Sequence, residues 1–296
     1  SNYVTNATTF DTYTKLCSHF DGADAATAYT DPIAGAYAFV SGAKLSTAQK
    51  KWTSSLLLNG SSDYVTLPDS AGWDFGAGDF TIDGWVNSTN FSSAQIVVGQ
   101  YVDANNWWSF GFAGASGGNM TLTFHVYIGG VEKAAYYATT TAFSANTWHH
   151  IAVVRNLTDL YIFLDGVNLV IGNIAAPIGT NDLGSLASVL YVGCFGSGTT
   201  FFNGYIDELR ISKGVARWTA DFTPPVSPYP NDLLAYSEAT IKTQGSYALK
   251  AVAAITTSLN KTLTKTISST NLSGVDLIKF DMQSTITGAN ISLGLV

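Results

Sequence analysis

The stretch of sequence that decides the fold is Gly204-Tyr-Ile-Asp-Glu-Leu-Arg-Ile-Ser-Lys-Gly-Val-Ala-Arg-Trp-Thr-Ala-Asp-Phe-Thr-Pro-Pro225. Its first half reads as the closing strand of a β-sandwich, because residues of a strand alternate between the two faces of a sheet. On this alternation Asp207 shares the inner face with Leu209, whereas Glu208 and Arg210 share the opposite face and can lie in water. A carboxylate among buried aliphatic side chains needs a hydrogen-bond donor, an opposite charge or a metal ion.

The composition is that of a β-rich, secreted or surface-displayed protein. Of the 296 residues, 46% are hydrophobic, 13% aromatic and only 12% charged, which is enough apolar content for a substantial core. The net charge of -7 argues against a nucleic-acid partner, because phosphate binding requires clustered Lys and Arg. No segment has the roughly 18 consecutive apolar residues of a membrane helix, and no signal peptide opens the chain. We therefore expect a soluble or mature protein without membrane insertion.

The rest of the sequence is a succession of short alternating or apolar runs separated by turn residues, with almost no helical periodicity. The predicted strands are 15–20, 55–58, 63–67, 79–87, 95–101, 107–113, 120–128, 131–138, 147–155, 159–164, 167–171, 189–195 and 201–212. This pattern predicts an all-β fold, an antiparallel β-sandwich or jelly roll. Asp165-Gly166 and Gly129-Gly130 each predict a tight antiparallel hairpin.

A proline-rich segment, Thr223–Pro230, marks a change in the sequence. Proline fixes an extended backbone and removes donors, so this segment ends the first predicted domain. We predict a jelly-roll domain over 1–228, a linker over 229–235 and a smaller, incomplete β domain over 236–296. The last predicted strand, Ile291–Val296, stops as if inside a sheet, so we expect either a longer natural chain or a neighbouring chain that completes the sheet.

Five motifs, in order, resemble the laminin-G-like, concanavalin A-like lectin/glucanase superfamily, in the variety found in bacteriophage virion proteins. They are Lys15–Gly22, Ser55–Asp69, Trp73–Trp85, Asn146–Arg155 and Gly204–Pro225. The resemblance covers residues 10–228 and implies a concanavalin A-like jelly roll. That superfamily includes sugar-binding, adhesive, enzymatic and structural domains, so fold alone leaves the function open. Residues 236–296 resemble the opening half of a carbohydrate-binding-type jelly roll, through Ile241–Lys250.

The sequence lacks the signatures of an enzyme. Glycoside hydrolysis needs two facing carboxyl groups, and hydrolases of the resembled superfamily usually carry Glu-x-Asp-x-x-Glu or Glu-x-Asp-x-Glu on one strand. None of the three glutamates, Glu132, Glu208 and Glu238, begins such a motif. Asp207 and Glu208 are adjacent, and adjacent residues of a regular strand point to opposite faces. The histidines read as structural residues, and no Gly-x-Ser-x-Gly or His-Glu-x-x-His motif occurs. We therefore predict that the protein is not an enzyme.

One structural calcium ion is predicted between Asp21 and Asp207. The resemblance implies that the first and last strands of the domain run side by side, which brings these two carboxylates together. Calcium prefers carboxylate and carbonyl oxygens. The alternative is that Asp21 only forms a turn before Gly22, while Asp207 accepts hydrogen bonds from loop N–H groups.

The two cysteines, Cys17 and Cys194, have no metal-ligand spacing and lie in strand-like runs. Two buried free thiols are the preferred interpretation, and a disulfide between the two strands is the alternative.

A carbohydrate-binding platform is predicted among five aromatic residues, Tyr101, Trp107, Trp108, Tyr136 and Tyr137. Sugars stack their apolar faces on such rings, while neighbouring Asn and Asp side chains bind the hydroxyl groups. Adjacent rings must divide between the two faces of a strand, so we expect at least one ring of each adjacent pair in the core.

Asn-x-Ser/Thr triplets are possible glycosylation sites. They begin at Asn6, Asn59, Asn87, Asn90, Asn119, Asn156, Asn260, Asn271 and Asn290. In a phage protein made in a bacterial cytoplasm these asparagines would be bare, whereas on an exported protein they could carry glycans.

The predicted function is that of a non-enzymatic, lectin-like protein on a virion surface or outside the cell. It would be a phage tail-fibre, receptor-binding or capsid-decoration component that assembles with other virion subunits. As a homo-oligomer it would engage glycans or a host-surface receptor through many weak contacts. The alternative is a structural subunit of an extracellular filament or adhesin, in which a neighbouring chain completes the C-terminal sheet.

Overall fold

A computed structural model of the chain describes residues 10–90, 93–114, 119–196 and 198–229, together with two short strands, Tyr236–Glu238 and Ala248–Lys250. The chain divides into two compact units, Ser1–Ile255 and Thr256–Val296, and all of the described residues belong to the first unit. Apart from the two short strands, which pair with each other, the predicted domain over 236–296 lies outside the described residues. Its boundaries and its incomplete sheet stay predictions.

Eighteen strands precede these two in the described residues. They are β1 (Thr14–Ser18), β2 (Thr30–Asp31), β3 (Gly35–Ala36), β4 (Ala38–Val40), β5 (Lys44–Ser46), β6 (Ser55–Asn59), β7 (Tyr64–Leu67), β8 (Phe80–Ser88), β9 (Gln95–Asp103), β10 (Asn106–Phe112), β11 (Met120–Ile128), β12 (Val131–Thr140), β13 (His149–Asn156), β14 (Asp159–Leu164), β15 (Val167–Asn168), β16 (Ile171–Ala176), β17 (Leu190–Val192) and β18 (Asn203–Lys213). A single 3-10 turn, Ala71–Trp73, is the one helical element among these residues. No helix there is long and apolar enough to span a membrane.

Sixteen of the strands form two antiparallel sheets. The first sheet has the order β15-β14-β13-β8-β18-β6-β5, and β1 also pairs with β18. The second sheet has the order β16-β12-β11-β10-β9-β17-β7-β4. Residues of both sheets, such as Ile82 and Ile162 of the first and Val98 and Phe110 of the second, belong to one buried cluster. The predicted all-β antiparallel sandwich is therefore confirmed.

Both predicted hairpins are also confirmed. Asp165 and Gly166 have φ of 50° and 80° and join β14 to β15, while Gly129 and Gly130 have φ of 59° and 75° and join β11 to β12. Positive φ at both central residues matches the right-handed twist of the strands. At Gly166 a side chain would also collide with the chain, because a Cβ would lie 1.9 Å from the Phe222 carbonyl oxygen.

The strand β18 lies inside the first sheet, between β8 on one side and β6 and β1 on the other, and it contains a bulge. Asp207 pairs with Trp85 and Arg210 pairs with Asp83, so two residues of β18 lie opposite the single residue Gly84. Glu208 has a φ of 51°, the left-handed conformation that a bulge can impose. The regular alternation of side chains is broken at this point.

Because of the bulge, the predicted faces of Asp207 and Glu208 are wrong. Ile206 and Leu209 both point into the core, whereas Asp207 lies beside Trp85 on the outer side of the first sheet. Glu208 is on the same outer side, where it contacts His19, and is not in water: Asp207 and Glu208 are 1% and 2% exposed. The two acids therefore lie on one side of the sheet, not on opposite faces.

The chain after β18 covers this outer side, and we call residues 214–229 the covering segment. Trp218 and Phe222 stack at 3.8 Å and pack on Phe163 and Val154 of the first sheet. Tyr229, which the sequence places at the start of a linker, is 4% exposed. The outer side of the first sheet is thus a second buried region.

Both cysteines are free and buried, which confirms the preferred interpretation over the disulfide. The Cys17 sulfur lies 3.9 Å from His19 Nε2, and the Cys194 thiol donates to the Gly196 carbonyl. Burial raises the pKa of Cys194 to about 12, as expected for an unreactive structural thiol.

Candidate functional site

Six consecutive strands of the second sheet each carry a ring on the outer face. In spatial order they are Tyr64 on β7, Tyr191 on β17, Tyr101 on β9, Trp107 on β10, His125 and Tyr127 on β11, and Tyr137 on β12. The alternation of strand residues explains this, because neighbouring positions such as Val65, Trp108 and Phe124 fill the core. The loop between β17 and β18 adds Phe195 and Phe201. We call these nine residues the aromatic face, and all of them are partly exposed.

Most of these rings form one group around Trp107. The Trp107 ring stacks on Tyr127 at 4.9 Å and meets Phe195 edge-on at 5.0 Å. Tyr101 lies edge-on to Phe195, also at 5.0 Å. The His125 ring connects Trp107 at 6.2 Å to Tyr137 at 4.8 Å. We call these six residues the large group.

The remaining three rings form a small group at the other end. Tyr64 lies 6.1 Å from Tyr191 and 6.4 Å from Phe201, measured between ring centroids. One loop therefore supplies a ring to each group, Phe195 to the large group and Phe201 to the small one.

Between the rings the outward positions carry small residues, namely Gly99, Ser109, Gly111 and Thr123. The backbone requires glycine at two of them. A Cβ at Gly99 would lie 2.4 Å from the Trp108 carbonyl oxygen, and a Cβ at Gly111 would lie 2.3 Å from that of Gln95. These four floor residues are buried beneath the surrounding rings.

Polar groups at one end of the large group are held in place by hydrogen bonds. Asp103 accepts from the Asn105 N–H at 2.8 Å and from Asn106 Nδ2 at 3.0 Å. Asn106 Oδ1 in turn accepts from the Gly129 N–H, and Trp107 Nε1 donates to the Ala104 carbonyl. The loop before β10 is thereby fixed to the β11–β12 turn.

His125 adds a neutral polar group to the large group. Burial lowers the pKa of His125, although Glu132 opposes the shift, so the ring is uncharged at neutral pH. Its Nε2 atom is buried and has no hydrogen-bond partner.

Of the five rings predicted from the sequence, three lie on this face and two do not. Tyr101, Trp107 and Tyr137 are on the face, whereas Trp108 and Tyr136 are 2% and 4% exposed and belong to the core. In the core, Trp108 Nε1 donates to Gln100 Oε1, and the Tyr136 hydroxyl accepts from the Ile178 N–H. Trp108 and Tyr136 are therefore unavailable to a ligand, and each adjacent pair divides as the alternation requires.

Six rings of the face are absent from the sequence prediction: Tyr64, His125, Tyr127, Tyr191, Phe195 and Phe201. The outward positions of the predicted strands contain the first four of these, so strand alternation was a usable signal for them. Phe195 and Phe201 lie at the ends of the predicted strands 189–195 and 201–212, but the structure places both in the loop between β17 and β18.

A buried polar cluster lies on the opposite surface, between the first sheet and the covering segment. Arg210 donates to both carboxylate oxygens of Asp83, at 3.0 and 2.9 Å. The Tyr229 hydroxyl donates to the same carboxylate, and His150 Nε2 lies 3.0 Å from that hydroxyl. Burial alone would raise the pKa of Asp83, but Arg210 and His150 hold it well below its usual range. The charge of Asp83 is thus fully paired.

Glu208 belongs to the same cluster. Its carboxylate contacts His19 Nδ1 at 2.7 Å and accepts from the Tyr229 backbone N–H at 2.6 Å. Tyr229 therefore joins the covering segment to both acids, through its hydroxyl to Asp83 and through its backbone to Glu208.

Asp207 is the acid of this region whose surroundings most disfavour its charge. Burial raises the pKa of Asp207 to about 8, and the charges of Glu208 and Asp21 add to the shift, while hydrogen bonds from the Glu208 and Lys51 N–H groups oppose it. The charge of Asp21, the other predicted calcium ligand, thus disfavours the charged form of Asp207. Carboxylate oxygens are the ligands that a hard cation prefers, so the chemistry of these two side chains fits a calcium ion. In the described part of the chain, however, no group of three or more His, Cys, Asp or Glu side chains is arranged to hold a metal ion, so carbonyl oxygens would have to complete the site.

The glycosylation triplets differ in their surroundings. Asn87 is 2% exposed and has no room for a glycan in the folded protein. Asn59 is exposed, but its side chain accepts from the N–H groups of the following turn. Asn90, Asn119 and Asn156 are exposed or partly exposed. The triplets at Asn6, Asn260, Asn271 and Asn290 lie outside the described residues.

Comparison with known proteins supports the fold. The sequence profile of the concanavalin A-like lectin/glucanases superfamily matches residues 59–219, which is more than half of the chain. No curated protein sequence matches. Among solved structures, the chain is similar to domain 4 of AbnA, a GH43 extracellular arabinanase from Geobacillus stearothermophilus in complex with arabinotriose, at 19% identity and a TM-score of 0.51. This match covers 69% of the chain and 94% of that domain.

Two further structures are more distant. Trypanosoma rangeli sialidase is 14% identical with a TM-score of 0.45, over 68% of this chain and 31% of the sialidase. The enzymatically active domain of bacteriophage CBA120 tailspike protein 2 is 11% identical with a TM-score of 0.45, over 61% of this chain and 29% of that domain. The chain thus spans less than a third of either protein, and at these identities the likeness concerns the fold alone.

Proposed function

Since the chain belongs to the concanavalin A-like lectin/glucanase superfamily, we propose that it binds carbohydrate on the aromatic face of its second sheet. The observation that carries the proposal is the row of partly exposed rings on six consecutive strands. The core is filled by the alternate residues, so packing does not require large aromatic side chains at the outward positions. Rings that combine an apolar surface with a polar edge are suited to sugars, which present both.

We propose a binding role, not a catalytic one. Asp207 and Glu208 do form a pair of acids on one side of a sheet, but both are buried beneath neighbouring segments. The Glu208 oxygens are already engaged by His19 and Tyr229. A glycosidase needs its two carboxyl groups on either side of an accessible sugar bond, and this arrangement favours a structural role for the pair.

We further propose that the protein acts at a virion surface or outside the cell, in several copies, as a tail-fibre, receptor-binding or decoration component. A sheet surface offers a shallow site, so a single copy would bind weakly, and several linked copies would gain avidity. The filament alternative depends on residues 236–296, and a concentration-dependent assembly of the purified chain would favour it.

The test is a glycan array with the full chain, followed by calorimetry with the Trp107→Ala variant. We expect binding to at least one glycan and a loss of about tenfold, or about 1.4 kcal/mol, in the variant. Tyr13→Ala is the matched control, because Tyr13 is 47% exposed and lies in the turn before β1, outside the aromatic face. A blank array, or equal affinity of Trp107→Ala and the wild type, would overturn the proposal.

A further inference from the structure

We infer that the aromatic face takes an extended, uncharged glycan chain that lies across the strands, in preference to a single sugar or an acidic glycan. The inference rests on the proposed function and specifies its ligand. Three features carry it: the length of the row of rings, the continuity between its two groups, and the charge of the surface.

The row is long compared with a single sugar ring. It runs over β12, β11, β10, β9, β17 and β7, which are neighbours in that order. Adjacent strands lie about 4.8 Å apart, so five intervals place Tyr137 and Tyr64 on strands about 24 Å apart. A monosaccharide could contact only one of the two groups, whereas a chain of several sugars could contact both.

The two groups are also continuous with one another. Tyr191 lies directly opposite Gly99 of the adjacent strand, and Tyr101 is two residues further along that strand. Tyr191 and Tyr101 are therefore diagonal neighbours, a relation in which aromatic side chains can reach each other. Because Phe195 and Phe201 come from one loop, that loop borders both groups.

The surface offers nothing to attract an anionic glycan. The rings and floor residues are uncharged, and the lowered pKa of His125 keeps that ring neutral. Three charged residues adjoin the large group: Asp103 before β10, Glu132 opposite Tyr127, and its neighbour Lys133. The two acids outnumber the one base. With a net charge of -7 on the whole chain, an acidic glycan would be repelled at long range.

A length series tests the inference. The probes are cello-, xylo-, manno- and arabino-oligosaccharides of one to six units, with oligogalacturonides of equal length as the acidic counterpart, measured by calorimetry on the full chain. We expect affinity for one neutral series to rise by about tenfold or more from the dimer to the hexamer, and the acidic hexamer to bind at least about tenfold more weakly. Equal affinity for dimer and hexamer, or tighter binding of the acidic hexamer, would overturn the inference.

Variants of the small group provide the sharper test. Tyr191→Ala should weaken binding of the neutral hexamer by about tenfold and leave binding of the dimer unchanged, because a dimer can occupy the large group alone. Trp107→Ala should weaken both, and Tyr13→Ala should change neither. Thermal unfolding confirms that each variant is folded. If Tyr191→Ala affects both ligands equally or neither, this inference fails. If the glycan array is blank and neither the neutral nor the acidic series binds, the proposed function fails with it.

Discussion

Asp207 is a buried carboxyl group whose surroundings disfavour its charge. Burial and the nearby charges of Glu208 and Asp21 raise its pKa to about 8, compared with about 3.9 in an unfolded chain. The folded state therefore holds this proton more tightly than the unfolded state. The stability that Asp207 contributes is fully present below about pH 3.9 and is lost progressively as the pH rises through about 8.

We therefore expect the free energy of unfolding to fall by roughly 1 kcal/mol per pH unit between about pH 6 and pH 8. Asp207→Asn should remove most of this fall, because an amide does not ionise. The Lys51 and Glu208 N–H groups donate to different oxygens of Asp207, and the single amide oxygen can accept from only one of them, so the variant should also be less stable at low pH. Urea unfolding at several pH values measures the effect. Asp159→Asn, at an exposed acid on β14, is the control that should keep the wild-type pH dependence. An Asp207→Asn variant as pH-dependent as the wild type would show that this carboxyl group is not responsible.

At the level of the strand, the bulge in β18 explains why its faces could not be predicted by alternation alone. Alternation assumes one residue opposite one residue, whereas here Glu208 and Leu209 together face Gly84. A Cβ at Gly84 would lie 3.2 Å from Leu209 Cα, so the site favours glycine. An isolated glycine in a strand pattern indicates a bulge. Gly84 was therefore the residue from which a bulge could have been predicted. The position of the bulge on the neighbouring strand, however, depends on a pairing that the sequence does not specify.

The other strand predictions succeeded or failed for similar reasons. Long runs with clear turns, such as β11 and β14, match their predicted ranges of 120–128 and 159–164. The short strands β2 to β5 were missed, because runs of two or three residues have no measurable period. The prediction of one strand over 167–171 was wrong, since the chain there leaves the first sheet at β15 and enters the second at β16.

The covering segment depends on Tyr229 as its anchor. Its hydroxyl donates to Asp83, and its ring lies 4.0 Å from the Arg210 guanidinium. Tyr229→Phe keeps the ring but leaves the buried Asp83 carboxylate with one donor fewer, so we expect a loss of about 1–3 kcal/mol in unfolding free energy. Tyr13→Phe, at an exposed tyrosine, should be neutral.

Urea unfolding compares the two variants, and hydrogen exchange shows whether protection is lost first at residues 214–229, as expected if the segment is released. An unchanged urea midpoint in Tyr229→Phe would mean that the hydroxyl does not hold the covering segment.

The two outer surfaces of the sandwich differ, and the difference indicates which of them is available to a ligand. The outer side of the first sheet is buried beneath the covering segment and holds its charges in paired networks, whereas the outer side of the second sheet presents its rings to solvent. The sequence motifs were sufficient for the fold, because five ordered motifs span the sandwich. They were insufficient for the binding surface, since it combines outward residues from six strands with two loop residues, and only strand order brings Tyr64 and Tyr137 into one row.

Calcium binding at Asp21 and Asp207 would act on the stability of the whole sandwich, because it would link the turn after β1 to the inner strand β18. The ion must displace the Asp207 proton, so its effect should grow with pH. We expect about 1 mM CaCl2 to raise the melting temperature more at pH 8.5 than at pH 6, and EDTA to reverse the rise. Asp207→Asn and Asp21→Asn should each reduce the rise. MgCl2 at equal concentration controls for ionic strength and should do less, because magnesium demands a more regular site. If calcium leaves the melting temperature unchanged at both pH values, Asp21 forms only its turn and Asp207 is held by N–H groups alone.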